Sequence, residues 1–172
     1  MRVLTSVVLI AALAGLTAVC AQINIPMIPV PMTMQTFAVL VAGAVLGAWR
    51  GTASVLLYLA LGAAGLPVLS DGASGIAPFS GATAGYLFAF PLAALLVGWL
   101  FGKARGVLAQ FGLLIAAHIL ILTLGAAWLS TDIGLADAIA YGVTPFLIGM
   151  AIKSALVVAA AAACRRWVKS EK

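Results

Sequence analysis

Residues 144–166 read TPFLIGMAIKSALVVAAAAACRR, an apolar run that opens on Thr-Pro, closes on two arginines and is interrupted by one charge, Lys153. Thr144 and Pro145 predict a helix start, because threonine caps the first turn and proline tolerates the first helical position, where no N–H is needed. The run continues to about Ala163. At 1.5 Å per residue it is long enough to cross roughly 30 Å of hydrocarbon.

Five further apolar runs precede it, at residues 3–21, 33–48, 52–69, 82–101 and 107–129. The second is short, so it is expected to be tilted, partly unwound or met by the loop before it. Composition agrees with six spans: of 172 residues, 65% are hydrophobic and 8% charged, and the mean hydropathy is +1.25. A soluble domain carries about a quarter charged residues, so this chain has too little polar surface to cover a water-facing globule. The expectation is an all-α integral membrane protein of six transmembrane helices, one domain over residues 1–172. A competing reading makes residues 1–21 a cleaved signal peptide, which would leave five spans. Its lipobox variant fails, since Thr17 and Val19 stand where Leu and a small residue are needed.

The charges orient the spans. Arg2, Arg50, Lys103, Arg105, Arg165, Arg166, Lys169 and Lys172 all fall on one side of a six-span chain, and Asp71, Asp132 and Asp137 on the other. By the positive-inside rule both termini are cytoplasmic, in a multi-pass protein of the cell membrane. The net charge of +5 thus reflects topology and does not call for a nucleic-acid partner. Cys20 and Cys164 fall at opposite faces, too far apart to pair. No Cys/His spacing suggests a metal, and no cofactor is expected. Small residues recur four apart at Ala11 and Gly15, Ala14 and Ala18, Gly43 and Gly47, and Gly98 and Gly102. Such spacing lets helices approach closely in lipid, and the two overlapping pairs in the first span form a smooth stripe open to a partner helix.

The inner turns are short, whereas the outer segments are long and irregular. Residues 22–32 hold Pro26, Pro29 and Pro31, residues 70–81 hold Gly72, Gly75, Pro78 and Gly81, and residues 130–143 hold Asp132, Asp137 and Tyr141. Loops folded over helix ends predict a lidded pocket on the outer side. Lys153 lies about 12 Å below the start of the sixth span, and no acid lies inside any span. An intramembrane charge normally faces a cavity or a partner, so Lys153 is expected to meet a carboxylate or carbonyl oxygen of a ligand, the alternative being that it snorkels to the surface. Phe146 and Met150 share its helix face. Gln35 needs a polar partner at its depth, Tyr86 and Phe90 form an aromatic wall or, like Gln35, serve ordinary helix packing, and Asp71 points into the pocket or into water. His118, midway along the fifth span, is expected to be a satisfied interhelical hydrogen-bonding residue.

Gly72-Ala73-Ser74-Gly75 resembles the Gly-x-Ser-Gly segment of rhomboid intramembrane proteases, with His118 as the base. Ser74 falls in an outer loop and His118 half a membrane deeper, whereas a nucleophile and its base must come within hydrogen-bond reach. A Gly-x-x-x-x-Gly-Lys-Ser/Thr loop is also missing, so the chain is expected to be neither an enzyme nor an ATPase.

A second resemblance covers nearly the whole chain. It runs through residues 29–36 (PVPMTMQT), 47–51 (GAWRG), 57–59 (LYL), 65–68 (GLPV), 83–87 (TAGYL) and 90–93 (FPLA) to Pro145-Phe146-Leu147 with Gly149 and Lys153. In order and spacing these segments resemble the BioY family, the biotin-binding S components of energy-coupling-factor vitamin transporters. The resemblance implies a six-helix subunit that takes biotin from the outer side. Its partners would be a transmembrane coupling subunit, met by Ala11–Gly15 or Ala14–Ala18, and cytoplasmic ATPase subunits. An S component for another vitamin and a self-sufficient vitamin carrier are the alternatives. Similar sequences often carry an Asp three residues before the Lys, where this chain has Met150. If that Asp accepts hydrogen bonds from the ureido ring, Gln35 or a backbone carbonyl must serve here.

Overall fold

The computed structural model describes residues 2–170, with side chains described for residues 3–164. Of the cations used above to orient the chain, Arg2, Arg165, Arg166 and Lys169 are described only in their helical backbone, and Lys172 lies outside the described residues. Within residues 2–170 the chain forms seven α-helices: α1 (Arg2–Gln22), α2 (Gln35–Leu46), α3 (Ala48–Ala63), α4 (Ala84–Leu100), α5 (Val107–Ile133), α6 (Leu135–Gly142) and α7 (Phe146–Ser170). Val3–Gln22, Val107–Ile133 and Phe146–Cys164 are each long and apolar enough to cross a membrane, and α2 and α4 are shorter apolar helices. The chain is accordingly a multi-pass membrane protein.

The centre of the bundle is α4, which packs against α2, α3 and α5; α1 lies on α2 and α3, and α7 on α2 and α5. Small residues let the helices close up. Ala84, Ala89, Ala93, Ala94 and Val97 are fully buried along α4, and a Cβ on Gly43 would lie 2.5 Å from the Ala94 carbonyl oxygen. At the end of α4, a Cβ on Gly98 would strike the backbone of Ala48.

Several boundaries differ from the expected spans, and α7 also runs past Ala163 to Ser170. The third helix begins at Ala48 because the chain turns at Gly47, where φ is +80°, so Arg50 sits in a first helical turn and not in a loop. It stops at Ala63 in a Schellman motif, with Gly65 at φ +100°, the Gly65 N–H on the Gly62 carbonyl and the Leu66 N–H on the Leu61 carbonyl. Residues 66–69, expected to be helical, instead return over the bundle, and Leu69 is buried. The fifth helix runs on to Ile133, since Ser130 and Thr131 donate to the carbonyls of Ala127 and Trp128 one turn back. This local bonding keeps polar residues inside a helix. Gly134 (φ +83°) then breaks the chain into α6, a helix where an irregular loop was expected. Thr144 does not cap α7: its hydroxyl donates to the Ile139 carbonyl at the end of α6.

The segments expected to lie on the outer side gather at one end of the bundle. Residues 24–33 form an antiparallel hairpin, β1 (Asn24–Ile25) with β2 (Met32–Thr33), which leads into the short α2 at Gln35. Residues 70–79 contain two single 3-10 turns. The Gln22 amide donates to the Leu69 carbonyl, the Asn24 amide to Asp71 at 2.8 Å, and the Trp128 indole to the Gly81 carbonyl. At the opposite end Trp49, Trp99, Arg50, Lys103 and Arg105 are exposed, with the Lys103 ammonium over the Trp99 ring at 4.5 Å.

Candidate ligand-binding site

Beneath the gathered loops lies a cavity of about 300 Å³, the lower end of the range for small-molecule sites. The hairpin contributes Val30, Pro31 and Thr33 to its wall, and the first turn of α2 adds Gln35 and Thr36. The returning chain adds Leu69, Asp71 and Pro78. The deeper wall is apolar and aromatic, made by Tyr86, Leu87 and Phe90 of α4, Ile121 and Leu122 of α5, and Phe146 of α7.

Helical spacing explains the aromatic side. Tyr86 and Phe90 are four apart on the buried face of α4. The Tyr86 ring lies near parallel to Phe146, 27° between planes and 6.4 Å between centroids. Tyr86 reaches this place because Gly125 of α5 has no side chain to obstruct its ring, and its hydroxyl donates to the Gly142 carbonyl at 2.8 Å.

The polar side is a short chain of bonds. The Thr33 hydroxyl donates to Gln35 Oε1, and Gln35 Nε2 donates to the buried Tyr58 hydroxyl at 2.7 Å. Lys153 is buried at 5% exposure, and its ammonium donates to the Thr33 carbonyl at 3.1 Å. The ammonium therefore sits immediately behind a residue of the wall.

Of the residues singled out in the sequence, Gln35, Tyr86, Phe90, Phe146 and Asp71 meet on the cavity wall. Asp71 is also exposed, so it stands at the rim and faces both cavity and water. Lys153 and Met150 are not on the wall: Lys153 stands behind Thr33, and Met150 is partly buried against the core. Thr33, Thr36, Leu69, Ile121 and Leu122 were missed. Thr33 and Thr36 flank Gln35 in a segment already noted, whereas nothing in an apolar run marks Ile121 or Leu122 as facing a void.

His118 bridges α5 and α7 as expected, with Nδ1 3.1 Å from both the Leu114 carbonyl and the Ser154 hydroxyl. Its Nε2, however, is buried with no partner among the described residues, so only one ring nitrogen is satisfied. Its hydroxyl partner is Ser154, and Ser74 lies in the outer loop. In α1 the two small pairs face different ways, with Ala11 and Gly15 exposed and Ala14 buried.

Similarity to known proteins follows this architecture along its whole length. The chain is 41% identical over 150 residues to "Probable biotin transporter BioY" of Pyrococcus horikoshii, spanning 87% of this chain and 90% of that one. It is 39% identical over 152 residues to "Biotin transporter BioY" of Thermotoga maritima, spanning 88% and 89%. Among solved structures it resembles the crystal structure of the S-component for biotin from an ECF-type ABC transporter. That match has a TM-score of 0.84 and 30% identity, covering 96% of this chain and 93% of the other. A sequence profile described as the BioY family matches residues 1–170, and the chain belongs to that family.

Proposed function

We propose that this protein is the biotin-capturing S component of an ECF-type transporter. It takes biotin into the cavity from the outer side of the cell membrane and delivers it inward with a transmembrane coupling subunit and cytoplasmic ATPase subunits. The observation that carries this reading is the cavity itself: small, mostly apolar, partly covered by hydrogen-bonded loops and provided with a few polar groups on one side. Biotin is an apolar bicycle with a polar ureido edge and a carboxylate tail, and a pocket of this composition suits it. Tyr86, Phe90 and Phe146 take the bicycle, Gln35 meets a polar edge, and Asp71 stands at the entrance. Met150 supports the apolar wall from behind. Lys153 holds the Thr33 carbonyl with one of its three N–H donors and so supports the wall from behind. The exposed pair Ala11 and Gly15 is the surface of α1 that meets the coupling subunit. The gathering of Arg50, Lys103 and Arg105 at the end of the bundle opposite the cavity supports the orientation with both termini in the cytoplasm.

Calorimetric titration of the purified chain with biotin, thiamine and riboflavin tests the ligand. Saturable binding of biotin alone is expected. No biotin binding, or tighter binding of either other vitamin, overturns the assignment. Uptake by vesicles holding this chain alone, compared with vesicles that also hold the partner subunits, distinguishes an S component from a self-sufficient carrier.

A further inference from the structure

Helix α5 turns one face to the cavity, and two of its residues, Ile121 and Leu122, reach the wall. One turn further along that face stands Gly125. It has no side chain to reach with, and the Tyr86 ring of α4 lies over it instead: a Cβ on Gly125 would strike the ring carbons of Tyr86. The two helices touch at this point, since a Cβ on Gly85 would lie 3.1 Å from the Gly125 Cα. At the far end of the ring, a Cβ on Gly142 would strike the Tyr86 hydroxyl, which donates to the carbonyl of that same glycine. The Phe146 ring stacks beside it.

The backbone asks for neither glycine. Gly125 and Gly142 are not among the residues with positive φ, and both lie in helices, where glycine is the poorest former after proline. What occupies the space they leave is one side chain, Tyr86. Its ring is bounded by α5, by the end of α6 and by Phe146, and its open side is the cavity, whose wall it forms. A methyl group at position 125 has to displace that ring toward the void.

We infer that Gly125 is a positioning residue that sets the width of the cavity, giving the Tyr86 ring a notch in α5 into which it withdraws so that a fused two-ring ligand fits. This rests on the assignment of biotin as ligand. Gly125 does not meet the ligand; it acts through Tyr86. The fused rings are the widest part of biotin, and a pocket narrowed by about one methyl group discriminates about tenfold or more between ligands that differ by so small a volume.

Gly125→Ala in the purified full chain tests the inference, read by calorimetry with biotin and with desthiobiotin, which lacks the sulfur that closes the second ring. The alanine should weaken biotin about tenfold or more, and desthiobiotin by less than about threefold. Gly112→Ala, on the same helix but where a Cβ would meet nothing within 4 Å, should leave both affinities unchanged. Tyr86→Leu removes the ring that the alanine strikes. Gly125→Ala added to Tyr86→Leu should change biotin affinity by less than about threefold relative to Tyr86→Leu alone, and this comparison decides the matter even where Gly125→Ala by itself does not fold. A further loss of binding or of folding on the Tyr86→Leu background overturns the inference, because the alanine then acts on something other than the ring. Biotin bound equally by wild type and by Gly125→Ala overturns it too and leaves the biotin assignment standing. An equal penalty for the two ligands overturns the assignment of width. A wild-type chain that ignores biotin overturns the function reading itself, and the role of Gly125 with it.

Discussion

Lys153 donates to a backbone carbonyl, that of Thr33. In its absence that carbonyl would stand unpaired behind the cavity wall, and an unmet buried polar group costs about 1–3 kcal/mol. Lys153→Ala should therefore lower the stability of the ligand-free chain by about 1–3 kcal/mol; an unchanged thermal unfolding transition would contradict the bond. Tyr86→Phe makes a separate test of the aromatic wall. The ring remains, but the bond to the Gly142 carbonyl is lost, so the variant should lose about 1–3 kcal/mol of stability and unfold earlier in detergent. At this scale the sequence was informative where chemistry is unusual for its surroundings. A lysine and a glutamine in apolar runs declare themselves, whereas Thr36 does not, since a threonine in a helix normally satisfies itself.

The helices close up through glycine, and the four-residue spacing of small residues does not say which pairs do so. A Cβ on Gly98 would strike the Ala48 backbone, yet one on Gly15 would meet nothing within 4 Å. Gly98→Ala should therefore force α4 away from the joint between α2 and α3, costing about 1–3 kcal/mol as overpacking does. Gly15→Ala should leave stability unchanged, or slightly raise it through the lower backbone entropy of the unfolded chain. Thermal unfolding of the two variants compares them directly, and equal effects would contradict the packing described. If Ala11 and Gly15 meet a coupling subunit, bulk at Gly15 should reduce uptake with partner subunits while biotin binding by the isolated chain is kept. Element boundaries were legible where glycine is conformationally required, once the right glycine was chosen. Gly47 makes the α2–α3 turn, ahead of the break expected at residues 49–51, and Gly65 ends α3. The extension of α5 through Ser130 and Thr131 was hidden because those polar residues look like a loop until their hydroxyls turn back on the helix.

For the molecule as a whole, the two cysteines test the orientation. Cys164 is exposed and Cys20 buried. With both termini in the cytoplasm, a membrane-impermeant maleimide should leave Cys164 unmodified in intact cells and label it in inverted vesicles. Labelling in intact cells would reverse the topology. Membrane character, the six apolar runs and their charge asymmetry follow from the sequence by itself, because transfer of side chains between water and hydrocarbon is nearly additive along a chain. A lidded pocket and five of its wall residues, Gln35, Asp71, Tyr86, Phe90 and Phe146, could be named in the same way, since polar or aromatic groups at helix ends beside Pro- and Gly-rich segments are few. Which apolar residues border a void, and which glycine gives a ring room to withdraw from it, was decided only by the tertiary structure. A cavity is a failure of several helices to fill one volume, and a glycine becomes a notch only after a distant ring such as that of Tyr86 has been laid against it. Neither property belongs to a single stretch of chain.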